Sequence, residues 1–195
     1  MTKIIDNSKY RLSWFVFVFI SSFFFLFIPI FGYSSDIDSE LLLAAKENNL
    51  PLMKASLAKG ANVNTKDEFD RTPLIFAANF GHADCVKILL ANGAEINCQC
   101  FRKCSPLMWA AHNGHTQVVR MLIEKGADPN IQDIIGWTAL MKAAHKGNVE
   151  IAQILINNGA DLNLKNIDGH TALYIAERVD IREEISAMLR VVGAE

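Results

Sequence analysis

The sequence predicts an all-α repeat solenoid of short helix–turn–helix units, on three observations. From Asp67 onward the chain repeats itself every 33 residues. The same turn-forming residues recur in register in each copy, and the apolar residues between them fall at helical spacing. In register, DEFDRTPLIFAANFGHADCVKILLANGAEINCQ (67–99) matches CFRKCSPLMWAAHNGHTQVVRMLIEKGADPNIQ (100–132) and DIIGWTALMKAAHKGNVEIAQILINNGADLNLK (133–165). A shorter copy occupies 166–195, and an upstream copy at 37–66 keeps the spacing but loses the turn residues. A fixed period of this length means stacked units, each too small to hide its apolar face alone. Five units result, the first and last acting as caps with Glu40, Glu47, Lys54, Glu177, Arg182 and Glu183 on polar faces.

Each unit reads as turn, helix, tight turn, helix. Thr72, Ser105, Thr138 and Thr171 stand immediately before an apolar-periodic run, where a hydroxyl accepts a hydrogen bond from free helix N–H groups. Pro73 and Pro106 follow at the first helical position, where a missing N–H costs nothing. Paired alanines (Ala77–Ala78, Ala110–Ala111, Ala143–Ala144) let the first helix lie close against its neighbours, and Gly81, Gly114 and Gly147 end it. The second helix carries core positions at Val86, Leu89 and Leu90, then Val119, Leu122 and Ile123, then Ile151, Leu155 and Ile156. It ends at Gly60, Gly93, Gly126 or Gly159. Asn64, Asn97, Asn130 and Asn163 then start the crossing to the next unit, where Asp67 and Asp133 can brace the turn through side-chain to backbone hydrogen bonds.

Thr-Pro-Leu, Ala-Ala-x-x-Gly-His and Gly-Ala-Asp-x-Asn at this period resemble the ankyrin repeat over about 37–195. The resemblance implies β-hairpin fingers between helix pairs and a concave partner-binding face. The sequence departs from the family pattern where a histidine usually follows Thr-Pro-Leu, having Ile75, Met108, Met141 or Tyr174 instead. Thr-Pro also becomes Thr-Ala at Thr138 and Thr171.

The first 35 residues differ in composition. Lys3, Lys9 and Arg11 precede an apolar run from Leu12 to Phe31, and Gly32, Tyr33, Ser34, Ser35 and an acidic stretch follow. This order reads as a secretory signal cleaved after Ser34, or as an uncleaved anchor, since about 20 apolar residues span a bilayer. Both readings place residues 36–195 outside the cytoplasm, because positive charge before the segment and negative charge after it send the repeats outward. The expected location is periplasmic or secreted after cleavage, or tethered at the inner membrane by residues 12–31. Such a location favours a bacterial periplasmic or surface protein, or one delivered into a host.

Little in the chain points to chemistry. The net charge of −2 gives no support for a nucleic-acid partner. Glycines fall where repeat turns need them, no phosphate-cradling loop is present, and no histidine stands beside a nucleophile in a triad-like pattern. Neither catalytic residues nor a cofactor are expected. His82 and His115 belong to the Gly-His signature and read as capping and packing residues, whereas His112 and His145 are exposed by register. Of four cysteines, Cys85 occupies a core position and Cys98 a half-buried one, while Cys100 replaces the turn Asp, Lys103 its Gly, and Cys104 faces outward. Three readings remain open for the cluster: free thiols on a loosened loop, a Cys100–Cys104 disulfide, or a metal site, the last lacking a fourth ligand at zinc-like spacing.

Carried over by register, the variable face implied by the resemblance comprises Phe69, Arg71 and Phe80, then Phe101, Arg102 and His112. Ile134, Ile135, Trp137 and His145 follow in the fourth unit, Ile167 and His170 in the fifth. Phe69, Phe101, Ile134, Ile135, Trp137 and Ile167 form a ladder of large apolar groups on successive fingers, with Trp137 the best single anchor. Phe76 and Trp109 read instead as wedges between helices. The functional expectation is a non-enzymatic module binding another protein outside the cytoplasm. Two alternatives stand beside it: a thiol redox or metal-binding module using Cys98, Cys100 and Cys104, and a host-directed effector scaffold.

Overall fold

A computed structural model describes residues 37–178 and 183–193. Both readings of residues 1–35, signal and anchor, lie outside the described residues. Among the described residues no helix is long and apolar enough to cross a membrane. The helices come in pairs, one pair per unit: α1 (37–47) with α2 (Leu50–Ala58), α3 (Pro73–Phe80) with α4 (Ala83–Ala91), and α5 (Pro106–Asn113) with α6 (Thr116–Glu124). Then come α7 (Ala139–Lys146) with α8 (Val149–Asn157), and α9 (Ala172–Glu177) with α10 (Glu183–Val191).

First helices stack on first helices, α3 on α5 on α7 on α9, and second helices form a parallel row, α4 on α6 on α8. The alanine pairs explain the close inner row: Ala77, Ala78, Ala110, Ala111, Ala143 and Ala144 are all fully buried. The position that departs from the family pattern serves the same core, since Ile75, Met108 and Met141 are buried there and only Tyr174, in the terminal unit, is exposed. Each hydroxyl before a first helix caps it, Thr72 Oγ1 accepting from Ile75 N (3.3 Å), Ser105 Oγ from Met108 N (3.3 Å) and Thr138 Oγ1 from Met141 N (3.2 Å). Thr171 repeats the bond to Tyr174 N at 3.3 Å. First helices α3, α5 and α7 end on Gly81, Gly114 and Gly147 with φ of 74°, 79° and 75°, in the left-handed region where Cβ is disfavoured.

Units are also stitched together by polar side chains. His82 and His115 make no capping bond to their own helices. Each instead reaches back one unit: His82 Nε2 donates to Lys46 O (3.1 Å) and His115 Nε2 to Asn79 O (3.0 Å). Asn148 takes the same place in the fourth unit, donating to Ala111 O at 2.8 Å. On the opposite edge, Asn64, Asn97 and Asn130 accept from the backbone N–H of Glu95, Asp128 and Asp161 in the following unit. These residues satisfy backbone groups that helix ends leave without partners.

The fingers differ from the expected β-hairpins, because no residue among those described is in a strand. Each is a tight turn closed by two backbone bonds: Asp67 N to Arg71 O, Cys100 N to Cys104 O, Asp133 N to Trp137 O and Asn166 N to His170 O at 3.0–3.2 Å, and inside them Asp70 N to Asp67 O, Lys103 N to Cys100 O, Gly136 N to Asp133 O and Gly169 N to Asn166 O at 2.7–3.0 Å. Adjacent fingers share one further bond each, from Phe101 N to Phe69 O, Ile134 N to Arg102 O, and Ile167 N to Ile135 O. Pairing that short gives a ribbon of turns running across the stack.

Candidate functional site

The finger turn is built on one residue at its base. Asp67 Oδ1 accepts from Phe69 N (2.9 Å) and Arg71 N (2.8 Å). Asp133 Oδ1 does the same for Ile135 N (3.1 Å) and Trp137 N (2.9 Å), and Asn166 Oδ1 for Asp168 N (3.0 Å) and His170 N (2.8 Å). In the third finger this position is Cys100, and its thiol makes no such pair of bonds. The same finger has Lys103 at φ 59°, where the fourth and fifth have Gly136 at 76° and Gly169 at 78°. The second finger shares the missing glycine, with Asp70 at φ 56°, but keeps its base acceptor; the third lacks both devices, yet its turn closes with the same backbone bonds.

Charge reinforces two of these bases. Arg71 pairs with Asp67 at 2.7 Å and Lys142 with Asp133 at 2.8 Å. Burial pushes the Asp67 carboxyl up, but the hydrogen bonds from the Arg71 side chain and backbone and from Phe69 N, with the Arg71 charge, outweigh it and hold the pKa below the ordinary value. Arg71 also lies over two rings, 4.9 Å from the Phe69 centroid and 4.6 Å from that of Phe76.

The apolar ladder separates into tips and roots. Ile167 is 71% exposed, Phe101 58%, Ile134 49% and Phe69 42%, and Phe80 is exposed at the end of α3. Phe69 and Phe101 sit side by side with ring centroids 5.8 Å apart. Ile135 and Trp137 are only half-exposed. Trp137 packs against the core, with His145 edge-on at 5.4 Å and Lys142 Nζ 4.8 Å from its centroid. Arg102 is exposed beside Phe101, while Arg71, His112, His145 and His170 are half-buried. The structure thus brings Phe69, Phe101, Ile134 and Ile167 to the rim and sets Trp137 and the histidines behind it.

Register misplaced several groups. Cys104 does not face outward; it is buried against the root of the fourth finger, its Sγ 3.9 Å from Asp133 Oδ2. Its register mates Arg71, Trp137 and His170 are themselves half-buried, so a small side chain at that position is covered. Cys98 is fully buried rather than half-buried, 3.1 Å from Thr72 Oγ1. All four cysteines are free thiols, so the Cys100–Cys104 disulfide is not formed in this structure. Burial, aided by the charge of Asp84, pushes the Cys85 thiol up to about 11. Burial likewise pushes Cys98 to about 11 and, with Cys100 and Asp133 nearby, Cys104 to about 12. No group of three or more His, Cys, Asp or Glu among the described residues is arranged to hold a metal ion.

His112 is half-buried rather than exposed, and desolvation together with Lys146, Lys142 and His145 lowers its pKa. It borders a cavity of about 200 Å³ that sequence reading did not anticipate. Met108, Trp109 and His112 of α5 form one wall, and Arg102, Cys104, Asp133 and Lys142 the other. Trp109 Nε1 and His112 Nδ1 are both shielded from solvent and have no hydrogen-bond partner. Trp109 is consequently a wall of a cavity as well as a wedge, unlike Phe76, which is buried against its neighbours.

Comparison with known proteins accords with this geometry. The family described as "Ankyrin repeats (3 copies)" matches residues 41–133 and 132–190. No curated protein matches the chain.

Proposed function

The chain belongs to the ankyrin-repeat family, and from that premise we propose that it is a non-enzymatic module that docks another protein on its finger rim outside the cytoplasm. Ankyrin repeats make the chain a protein–protein interaction module. The observation that supports this particular face is the run of large apolar side chains at the finger tips. Phe69, Phe101, Ile134 and Ile167 are exposed on four successive turns tied to one another by backbone bonds. Exposed apolar groups on a pre-ordered ribbon lose little freedom on binding, which is what gives an anchor its affinity. Export is supported by the apolar run 12–31 and the charges flanking it.

The test is photo-cross-linking in the producing cells with a reactive group at position 101 of the full chain, followed by identification of the captured protein. Phe101→Ala is expected to weaken that partner by about 2 kcal/mol, roughly 30-fold, as truncation of an aromatic anchor does. Undiminished affinity in Phe101→Ala and Ile134→Ala alike would remove the rim from the interface. N-terminal sequencing and fractionation test the location: a start at Ser35 in a soluble extracytoplasmic fraction, or Met1 in the membrane fraction, agrees with export. Met1 in the cytoplasmic fraction contradicts it. The thiol redox alternative is disfavoured by chemistry, since burial disfavours the thiolate that such a module needs.

A further inference from the structure

The cavity behind the third and fourth fingers contains an unmet requirement. Trp109 and His112 are three residues apart on α5 and so share a face. Each leaves a ring nitrogen that is shielded from solvent and unpartnered. Buried polar atoms without partners are uncommon in folded proteins and ask for an explanation in each case. An indole N–H can only donate, so what Trp109 lacks is an acceptor. The one carboxylate that lines the cavity, Asp133, is already engaged. Asp133 Oδ1 receives two backbone N–H groups, and Oδ2 receives Lys142 Nζ at 2.8 Å and lies 3.9 Å from the Cys104 thiol. Asp133 also cancels the charge of Lys142. Arg102, exposed at the cavity wall, takes part in no ion pair among the described residues, and Lys146 adds a second positive charge near His112. The cavity thus combines an orphan donor, a surplus of positive charge and room for a small group of atoms.

We propose that this cavity receives the carboxylate of an Asp or Glu side chain from the docked partner, held by the Trp109 indole N–H, the His112 ring and the Arg102 guanidinium. The proposal rests on the protein-binding reading and adds the chemistry of the partner: an acidic residue adjacent to the apolar segment that meets the rim. Phe101 and Arg102 are consecutive, so one bound segment reaches both the rim and the cavity. A guanidinium provides the paired donors that a carboxylate accepts, and an amide offers neither the charge nor the second oxygen. Inside a partly closed site that difference is large, because solvent screens it less than at an open surface.

The experiment is a titration of the full chain, in detergent micelles, followed through the indole N–H resonance of Trp109, which Trp109→Phe identifies. The probes are acetyl-Gly-Glu-Gly-amide and acetyl-Gly-Gln-Gly-amide. The Glu peptide is expected to shift that resonance saturably, with the Gln peptide at least tenfold weaker. Arg102→Gln should weaken the Glu peptide about tenfold and leave the Gln peptide and the far-UV circular dichroism unchanged. Equal responses to both peptides, no shift at Trp109, or full retention of Glu binding in Arg102→Gln would each overturn the proposal. Cross-linking at the rim separates this from the broader reading. A partner captured equally by wild type and Arg102→Gln sinks the cavity alone, and a Glu-selective shift with no protein captured at the rim sinks the rim alone.

Discussion

Replacing Cys100 by Asn should stabilise the protein, and the neighbouring fingers supply the magnitude. At the same position Asn166 accepts from Asp168 N at 3.0 Å and from His170 N at 2.8 Å. An Asn at 100 would offer the same oxygen to Arg102 N and Cys104 N. Two neutral hydrogen bonds contribute about 1 kcal/mol each, and losing the buried sulfur costs roughly 1 kcal/mol, so the net gain is about 1 kcal/mol. For a chain of this length that raises Tm by about 2–4 °C. Aspartate should do less well than asparagine despite being the residue found in two other fingers. Asp67 and Asp133 are neutralised by Arg71 and Lys142, but the register equivalents of those cations around Cys100 are Cys104 and Trp109. A carboxylate there would be buried without a counter-charge. The assay is urea unfolding of the full chain in detergent, followed by far-UV circular dichroism, with amide exchange at Arg102 and Cys104 as a local readout. Expected stability falls in the order Cys100→Asn, wild type, Cys100→Ala. Cys100→Asn at or below Cys100→Ala, with no added exchange protection at Arg102 and Cys104, would refute the bracing argument.

Lys103→Gly should stabilise by about 0.5–1 kcal/mol, since a side chain in the left-handed region is strained, and the same unfolding titration reads it. Asp70→Gly should gain less, because Asp tolerates that region and Asp70 pairs with Lys66 at 3.9 Å. Gly136→Ala should be more destabilising than Gly169→Ala, because a Cβ at 136 would lie 2.8 Å from Asn166 Cα whereas one at 169 meets nothing within 4 Å; a thermal melt of the two variants decides it. The raised pKa values of Cys85, Cys98 and Cys104 mean the folded state holds these protons more tightly than the unfolded state. Their contribution is complete below the ordinary thiol value of 9.0 and is lost as pH rises through about 11–12, so stability should fall above about pH 9. Thiol titration at pH 8 should be slow in the folded chain and fast in urea; rapid reaction of Cys98 without denaturant would contradict its burial.

The helices were legible because every device that makes them is local. Thr72 before Pro73, the alanine pair at 77–78 and Gly81 act within one turn of the groups they satisfy, so a 33-residue period reads them directly. The bonds between units were not legible. His82 reaches Lys46 and Asn97 reaches Asp128, partners that sequence distance conceals until the stack fixes its offset. Register reads a position as exposed when its equivalents carry polar or bulky groups, and this is why it misplaced Cys104 and His112. Arg71 and Trp137 have polar or aromatic ends that reach outward from a covered Cβ, whereas a cysteine at the same position is simply covered. The cavity escaped for a related reason. Its walls come from two units, and its only sequence trace is that Trp109 belongs to the unit whose own finger has a thiol at its base.

That coincidence has a physical consequence. In a stack where each unit touches only its neighbours, weakening one turn is tolerated, because the flanking helix pairs retain their own interfaces. The third finger gives up its base acceptor at Cys100 and its glycine at Lys103, while Thr72, Ser105 and Thr138 still cap the helices around it. Its backbone is left with the turn bonds from Cys100 N to Cys104 O and from Lys103 N to Cys100 O and the single bonds to its two neighbour fingers. Local opening of such a segment costs less than unfolding of the core. The residues on that turn are Phe101, the most exposed aromatic of the rim, and Arg102, at the wall of the cavity. Bracing the finger with Cys100→Asn would thus fix both in place. If docking requires the turn to shift so that a partner group reaches Trp109, the stabilised variant will bind the captured partner more weakly and more slowly. If the turn is already in its bound form, the same variant will bind more tightly, because less freedom remains to be lost. Association and dissociation rates of wild type and Cys100→Asn decide between the two.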